Sequence, residues 1–256
     1  MNMNSKNWKA FLSTLLTAAI LAACAGCADS PSPAPTETTD PTEATQEAVT
    51  TERPETFSQD EYVLYQNVFY SGYGADYDGK PTEKEGVFAV IHDAYNDRLR
   101  YYVWGYYDQT RCCDWQWEFV PQDVNALPPV GSLVTVRGTF ASGEEALDGY
   151  WITDAQVETD AAYTGPAADL DMRSMGATLE RVQMYNIMYH PEAFEGQTYF
   201  AYGRIASVNS IQDPYYDGSW SNTITWGGDL PAVGTLVEVT GTVEGGTLSV
   251  QSMNEI

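Results

Sequence analysis

Basic residues are scarce in this sequence. Its 256 residues include 12 Lys and Arg against 36 Asp and Glu, which gives a formal net charge of −24 at pH 7. Proteins bind the phosphate backbone of nucleic acids through Lys and Arg, and a surface this acidic repels it. The composition therefore predicts a protein with no nucleic-acid partner. Solubility at a crowded surface is the simplest reason for so much acidic charge.

Residues and motifs that mark catalytic sites are also sparse. The sequence has two histidines, His92 and His190, and it contains no G-x-S-x-G, H-E-x-x-H, phosphate-loop or G-x-G-x-x-G motif. Hydrolases that use paired carboxylates place them across a cleft, which a sequence cannot show. We therefore predict a non-catalytic protein and keep a wall-directed hydrolase as a third alternative.

Long apolar runs are missing as well. The run at 11–21 follows Lys6 and Lys9 and is shorter than the roughly 20 residues that span a bilayer, a pattern typical of a secretory signal. It leads into an L-A-A-C motif that ends at Cys24 and resembles the lipobox of bacterial lipoproteins. The resemblance implies a lipoprotein signal peptide at 1–23 and a lipid on Cys24, with Cys27 as the alternative. The protein would then be lipid-anchored at the extracytoplasmic face of the cell membrane.

Residues 24–57 are predicted to be a disordered tether. They are rich in Ser, Thr, Pro and Glu and contain one basic residue, Arg53. Such a segment buries too little apolar surface to offset the entropy cost of ordering. Directly behind a lipid anchor, it would hold the folded part away from the membrane.

Two stretches of the remaining chain are nearly the same. Residues 127–140 read LPPVGSLVTVRGTF and residues 230–243 read LPAVGTLVEVTGTV, with nine of fourteen positions identical. A Pro-containing turn ends at Gly131 or Gly234, and apolar and polar residues then alternate as in a half-buried strand. Gly138 and Gly241 interrupt the two strands at the same place, which predicts a bulge or sharp bend. We infer two copies of one small β domain.

The strand pattern around each copy indicates the fold. The first domain, 58–160, has five predicted strands, at 86–96, 98–107, 115–120, the repeat and 150–157. The second, 161–256, has four, at 197–207, 222–226, the repeat and 247–253, with a short helix at 178–189 before them. Four or five short strands with a Gly-bent central strand favour a mostly β protein of two tandem small OB-like β-barrels over seven-stranded sandwiches.

Three local patterns stand out in the two domains. They are the V-G-x-x-V-x-V-x-G strand, a Cys-Cys pair before a Glu-Phe strand, and a Pro-Glu-x-Phe-x-Gly entry to the second domain. The residues of the last two patterns are Cys112, Cys113, Glu118, Phe119, Pro191, Glu192, Phe194 and Gly196. Together these patterns resemble surface lipoproteins of Gram-positive bacteria that carry tandem OB-like domains. The resemblance covers most of residues 86–256 and implies the fold, but it supplies no activity.

Cys112 and Cys113 are adjacent, and three roles stay open for them. They could be structural thiols or a structural disulfide, part of a divalent-metal site, or a redox or partner-linked pair. Neighbouring Cα atoms lie about 3.8 Å apart, below the usual span of a disulfide. A tetrahedral zinc site takes four ligands, and Cys112, Cys113, His92 and Asp108 are the candidate set, although no ligand-spacing motif supports it.

A dense group of aromatic residues surrounds the cysteine pair. The candidates for ligand binding are Tyr102, Trp104, Tyr106, Trp115 and Trp117. Because side chains alternate along a strand, some must fill the barrel and others must point outward. The outward ones could stack against a sugar ring or a peptide.

The sequence thus favours a lipid-anchored cell-surface binding or interaction module. Its partner would be a cell-wall glycan, a peptide or a protein. The alternative is a metal-binding or metal-delivery lipoprotein that uses Cys112 and Cys113.

Overall fold

The computed structural model describes residues 48–50, 52–215 and 219–256. The predicted signal peptide, Cys24 and the predicted tether up to residue 47 lie outside the described residues. No helix among the described residues combines the length and the apolar character needed to cross a membrane.

The described chain is mostly β, with two α-helices. The helices are α1 (Gln59–Phe69) and α2 (Ala177–Tyr189). The strands of the first half are β1 (Ala48–Thr50), β2 (Pro81–Asp93), β3 (Arg98–Tyr106), β4 (Asp114–Pro121), β5 (Leu133–Ser142) and β6 (Tyr150–Tyr163). The strands of the second half are β7 (Leu170–Asp171), β8 (Thr198–Ser207), β9 (Ser210–Gln212), β10 (Ser221–Thr225), β11 (Leu236–Glu244) and β12 (Thr247–Glu255).

Each half forms one sheet that closes on itself. In the first, the pairing runs β2–β3–β4–β6–β5 and returns from β5 to β2. In the second, it runs β8–β9–β10–β12–β11 and returns from β11 to β8. In both barrels the third and fifth strands are parallel and the other neighbours are antiparallel. This arrangement is typical of the OB-like barrels predicted from the sequence, with a fifth strand, β9, that was not predicted for the second domain.

The repeated sequence has the same structural role in both barrels. Gly131 and Gly234 end the preceding turn with φ of 90° and 94°, a backbone region that favours glycine. The ladder to the last strand shifts register next to Gly138 in one barrel and next to Gly241 in the other. These two shifts are the bulges that the sequence predicted, and they bend a strand that pairs with two neighbours at once.

Helix α1 fills the gap that the first barrel leaves between β4 and β6. These two strands pair only at Phe119 and Pro121 within the described ladder, so the start of β4 needs another cover. Tyr65 and Val68 of α1 are buried in the core of this barrel. Ser58 is the N-cap of the helix, because the Glu61 N–H donates to Ser58 Oγ at 3.2 Å. The sequence predictions did not include this helix.

Helix α2 packs between the barrels, and Glu47–Ile256 forms one compact unit. Its outer turns cover the edge of β2 beyond Val87, where β2 no longer pairs with β5. The His92 N–H donates to Gln183 Oε1 at 2.8 Å, and the Ala94 N–H donates to Asn186 Oδ1 at 3.2 Å. A single buried cluster therefore contains residues of both barrels.

The disordered tether predicted over residues 24–57 is too long at its C-terminal end, because residues 48–50 and 52–57 contact the barrels. Strand β1 pairs in parallel with β6, and residues 52–57, which we call the strap, continue along the end of β3. The Tyr106 N–H donates to the Thr56 carbonyl at 2.8 Å. Arg53 donates to both carboxylate oxygens of Asp171, at 3.1 and 2.9 Å. The strap thus joins the first barrel to the second, an arrangement set by tertiary contacts that composition does not reveal.

Candidate functional site

The five aromatic residues predicted to bind a ligand are all buried. Trp115 and Trp117 are 0% and 1% exposed and fill the first barrel. Tyr102, Trp104 and Tyr106 lie on the outer face of that barrel, as strand alternation requires, yet they are 1–7% exposed. The prediction that some of these five residues point outward and stack against a ligand is therefore wrong.

Two segments cover this outer face. Trp104 donates through Nε1 to the Ser174 carbonyl at 2.8 Å, and it packs with Met172, Met175 and Leu179 at the start of the second half of the chain. The loop between β5 and β6 covers the other end of the face, where Arg100 Nη1 donates to the Glu145 carbonyl at 3.0 Å. Many OB-like barrels bind their ligands on the face of their second and third strands, which are β3 and β4 here. In this protein, other segments of the same chain cover that face.

A buried group of charged residues lies beneath that loop. Arg100 donates to Asp93 and to Glu118, both at 2.7 Å. Burial raises the pKa of Glu118, although Arg100 opposes the effect. Burial together with the nearby Glu118 carboxylate raises the pKa of Asp148 to about 6. The loop closes this group, because the Leu147 N–H donates to Glu118 Oε2 at 2.8 Å. We interpret it as a structural network.

The predicted metal ligands are not brought together. Asp114, next to Cys113, pairs with Tyr106 at one end of β3, whereas His92 pairs with Leu99 at the other. Seven strand residues separate these positions, or about 23 Å. Asp108 Oδ1 accepts from the Thr110 backbone N–H at 2.8 Å. Among residues 48–50, 52–215 and 219–256, no three His, Cys, Asp or Glu side chains are grouped as a metal site.

Cys112 and Cys113 lie in the loop between β3 and β4, and both are half-buried. Their sulfur atoms are 3.6 Å apart and are not joined by a disulfide. The preceding residue, Arg111, has a left-handed backbone with φ of 55°. The two sulfur atoms therefore lie on the same side of the loop, whereas the side chains of neighbouring residues in a strand point to opposite faces.

An open cleft of about 510 Å³ lies between the two barrels, and we call it the inter-barrel cleft. Its lining combines apolar, imidazole, amide and carboxylate groups. The lining residues are Val90, His92, Leu99, Asp169, Leu170, Glu195, Gly196 and Gln197. The first three belong to β2 and β3 of the first barrel, and the others belong to segments at the start of the second.

Both carboxylates of the inter-barrel cleft are held in place by backbone groups. Asp169 Oδ2 accepts from the Thr198 N–H and from Thr198 Oγ1, each at 2.8 Å. These hydrogen bonds lower the pKa of Asp169. Glu195 Oε2 accepts from the Gly245 N–H at 2.9 Å. Asp169 therefore stays ionised well below neutral pH, and both oxygens sit in positions fixed by the fold.

Exposed aromatic residues continue the surface from this cleft. Tyr95 and Tyr189 are 45% and 60% exposed. The Tyr95 and His190 rings lie 6.1 Å apart, and His92 contacts the ring of Phe194 at 4.9 Å between centroids. We call Tyr95, Tyr189 and His190 the aromatic rim. Tyr95 lies in the β2–β3 turn, the loop that OB-like barrels often use for binding.

The inter-barrel cleft could not be predicted from the sequence, because its residues come from four separate places in the chain. His92 appeared only as a metal candidate, and Asp169 and Glu195 did not appear at all. The Tyr-Asn-Asp turn at Tyr95 was the one local signal, since an exposed aromatic residue in a turn is rarely needed for packing.

Comparison with known proteins gives no assignment. The sequence matches no protein-family model, and it matches no curated protein. The resemblance to Gram-positive surface lipoproteins stays a prediction.

Proposed function

We propose that the protein is a non-catalytic binding module of the extracytoplasmic cell surface, attached to the membrane by a lipid on Cys24. Its ligand would occupy the inter-barrel cleft. The observation that carries this proposal is the convergence of groups from both barrels around an open volume of about 510 Å³. Clefts between domains that combine apolar contact with a few fixed polar groups are common places for a ligand to bind.

The chemistry of the cleft favours a cationic peptide segment. Asp169 and Glu195 offer fixed carboxylate oxygens for an ammonium or guanidinium group. Val90, Leu99 and Leu170 offer apolar contact for the aliphatic part of a Lys or Arg side chain. Tyrosines of the aromatic rim can add cation–π contact. The net charge of −24 would attract such a ligand and repel anionic polymers.

Hydrolysis is less well supported, although two carboxylates line the cleft. A hydrolase of this type needs one carboxylic acid that stays protonated near neutral pH. Asp169 has a lowered pKa, because Thr198 donates two hydrogen bonds to it. It therefore fits a fixed anion that contacts a cation, and it does not fit a general acid.

A titration tests the cleft as the binding site. The probe is a five-residue lysine peptide, added to the full chain in a calorimeter at low ionic strength. Glu195→Gln keeps an acceptor for the Gly245 N–H and removes the charge, so affinity should fall about three- to tenfold. The matched control is Glu255→Gln, at the far end of β12, which should change affinity less than twofold. Equal losses in both variants would reduce the interaction to general charge attraction and reject the site.

The lipid anchor is tested separately. Cells that express the protein are fed an alkyne-labelled fatty acid and then separated into membrane and soluble fractions. Cys24→Ser should abolish the label and release the protein from the membrane fraction, whereas Cys27→Ser should leave both unchanged. Loss of label in Cys27→Ser alone would place the anchor on the other cysteine.

A further inference from the structure

The Cys112–Cys113 pair lies in a loop that contacts the strap. The Tyr107 N–H donates to the Cys113 carbonyl at 2.9 Å. The neighbouring Arg111 forms an ion pair with Glu55 of the strap at 2.6 Å. Tyr106, which precedes Tyr107, donates its N–H to the Thr56 carbonyl of the strap and accepts from the Ser58 N–H. The dithiol therefore adjoins the place where the N-terminal segment attaches to the first barrel.

We propose that Cys112 and Cys113 form a reversible covalent modification site that cycles between a dithiol and a vicinal disulfide. This site is independent of the inter-barrel cleft. The reaction partner is a disulfide-bearing oxidant outside the membrane, either a protein disulfide or a small-molecule one. The inference rests on the extracytoplasmic location proposed above, where thiols meet oxidising conditions. Both cysteine residues are half-buried.

The exchange balances in two steps. One cysteine thiolate attacks a sulfur of the oxidant, which forms a mixed disulfide and releases the oxidant's first thiolate. The second cysteine thiolate then attacks its neighbour's sulfur and releases the oxidant's other thiolate. The pair loses two electrons and two protons, and the oxidant's disulfide takes up the electrons to become two thiols.

The positions of the two cysteines favour formation of the disulfide, and the strain in the product makes it reversible. The sulfurs are already 3.6 Å apart on one side of the loop, and they must approach to about 2.05 Å to bond. Adjacent Cα atoms are fixed about 3.8 Å apart, below the usual disulfide span of about 4.4–6.8 Å. The bond would therefore be strained, and strained disulfides are the easily reduced ones.

Ring closure should also change the loop at Arg111 and Cys113. Their contacts with Glu55 and Tyr107 hold the loop in its dithiol shape. We expect closure of the disulfide to weaken the attachment of the strap to β3. Amide exchange at Tyr106 and Ser58 reports this directly, since their N–H groups bond across the junction.

The test treats the full chain with oxidised glutathione and, in parallel, with a reducing agent, and then maps its peptides by mass. We expect the oxidised peptide with Cys112 and Cys113 to be lighter by two hydrogen atoms. Reduced glutathione should reverse the change under conditions that leave an ordinary structural disulfide intact. Cys113→Ser should stop at a lasting glutathione adduct on Cys112, which shows that the second thiol completes the reaction.

Three results would overturn the proposal. The first is no mass change, and the second is pairing of either cysteine with Cys24, Cys27 or a second chain. The third is a vicinal disulfide that reduced glutathione cannot open, since that bond would be structural. Faster exchange at Tyr106 and Ser58 in the oxidised protein would support coupling to the strap. Unchanged exchange there would reject the coupling and confine the modification to the loop.

Discussion

At the scale of single residues, a buried lysine explains how α1 is attached to the first barrel. Lys84 is 4% exposed in β2, and its Nζ lies 2.8 Å from Glu61 Oε2 of α1. Trp117 donates through Nε1 to the same carboxylate oxygen at 3.1 Å, and Lys84 Nζ lies 4.9 Å from the Trp117 ring centre. One carboxylate on the helix thus satisfies two buried donors of the barrel.

Loss of this carboxylate should be costly. Glu61→Ala leaves the Lys84 ammonium buried without its counter-ion, and we expect the free energy of unfolding to fall by about 2–3 kcal/mol. Urea unfolding followed by Trp fluorescence measures it. The double variant Glu61→Ala with Lys84→Met should recover part of the loss, because no buried charge is then left alone. A double variant less stable than the single one would contradict the account.

Asp148 should make stability depend on pH. Its pKa of about 6 in the folded protein lies above the ordinary value of 3.8. The folded state therefore holds a proton that the unfolded state releases between about pH 4 and pH 6. Ionisation of Asp148 thus lowers stability as pH rises through this window. Asp148→Asn should stabilise the protein more at pH 7 than at pH 4.5, as measured by urea unfolding. An equal effect at both values would show that Asp148 ionises normally.

At the scale of elements, the bulged strand of the repeat carries the shape of each barrel. A Cβ on Gly138 would stand 2.5 Å from the Thr153 carbonyl oxygen, and one on Gly241 would collide with the Ser249 carbonyl. Backbone atoms cannot move aside as a flexible side chain can. Both positions therefore need glycine because another strand passes close by.

Replacement of either glycine should destabilise its barrel. We expect Gly138→Ala and Gly241→Ala each to cost about 2–3 kcal/mol, from overpacking against backbone. Gly227→Ala is the control, since a Cβ there meets nothing within 4 Å. Thermal unfolding followed by circular dichroism compares the three. If the two bulge variants unfolded at the same temperature as the control, the close contact between the bulge and the neighbouring backbone would be contradicted.

The elements also show what the sequence could and could not predict. Periodicity and the repeated glycines identified the long strands and α2, because those signals are local. Helix α1 was missed even though the S-x-x-E pattern at Ser58–Glu61 is a sequence signal for the start of a helix. Short strands such as β7 and β9 carry two or three residues and no pattern. The burial of Trp104 could not be predicted, because the residues that cover it lie 70 positions away.

At the scale of the whole molecule, the two barrels and the strap act as one unit. Arg53 reaches Asp171 across the junction, and α2 covers the open edge of β2 with side-chain acceptors. The segment after β6 covers Trp104 on the face of β3 and β4, the face on which OB-like barrels often bind ligands. The packing of the two barrels also creates the inter-barrel cleft. The candidate site therefore lies at the junction between the barrels and not on the face of one barrel.

The central claim is that a cationic ligand binds in the inter-barrel cleft, and hydrogen-exchange mass spectrometry tests it most directly. The full chain is compared with and without the five-residue lysine peptide at low ionic strength. The account predicts slower exchange in two segments, 92–99 and 195–198, and loss of that protection in Glu195→Gln. Protection elsewhere with these segments unchanged, or no protection at a saturating peptide concentration, would contradict it.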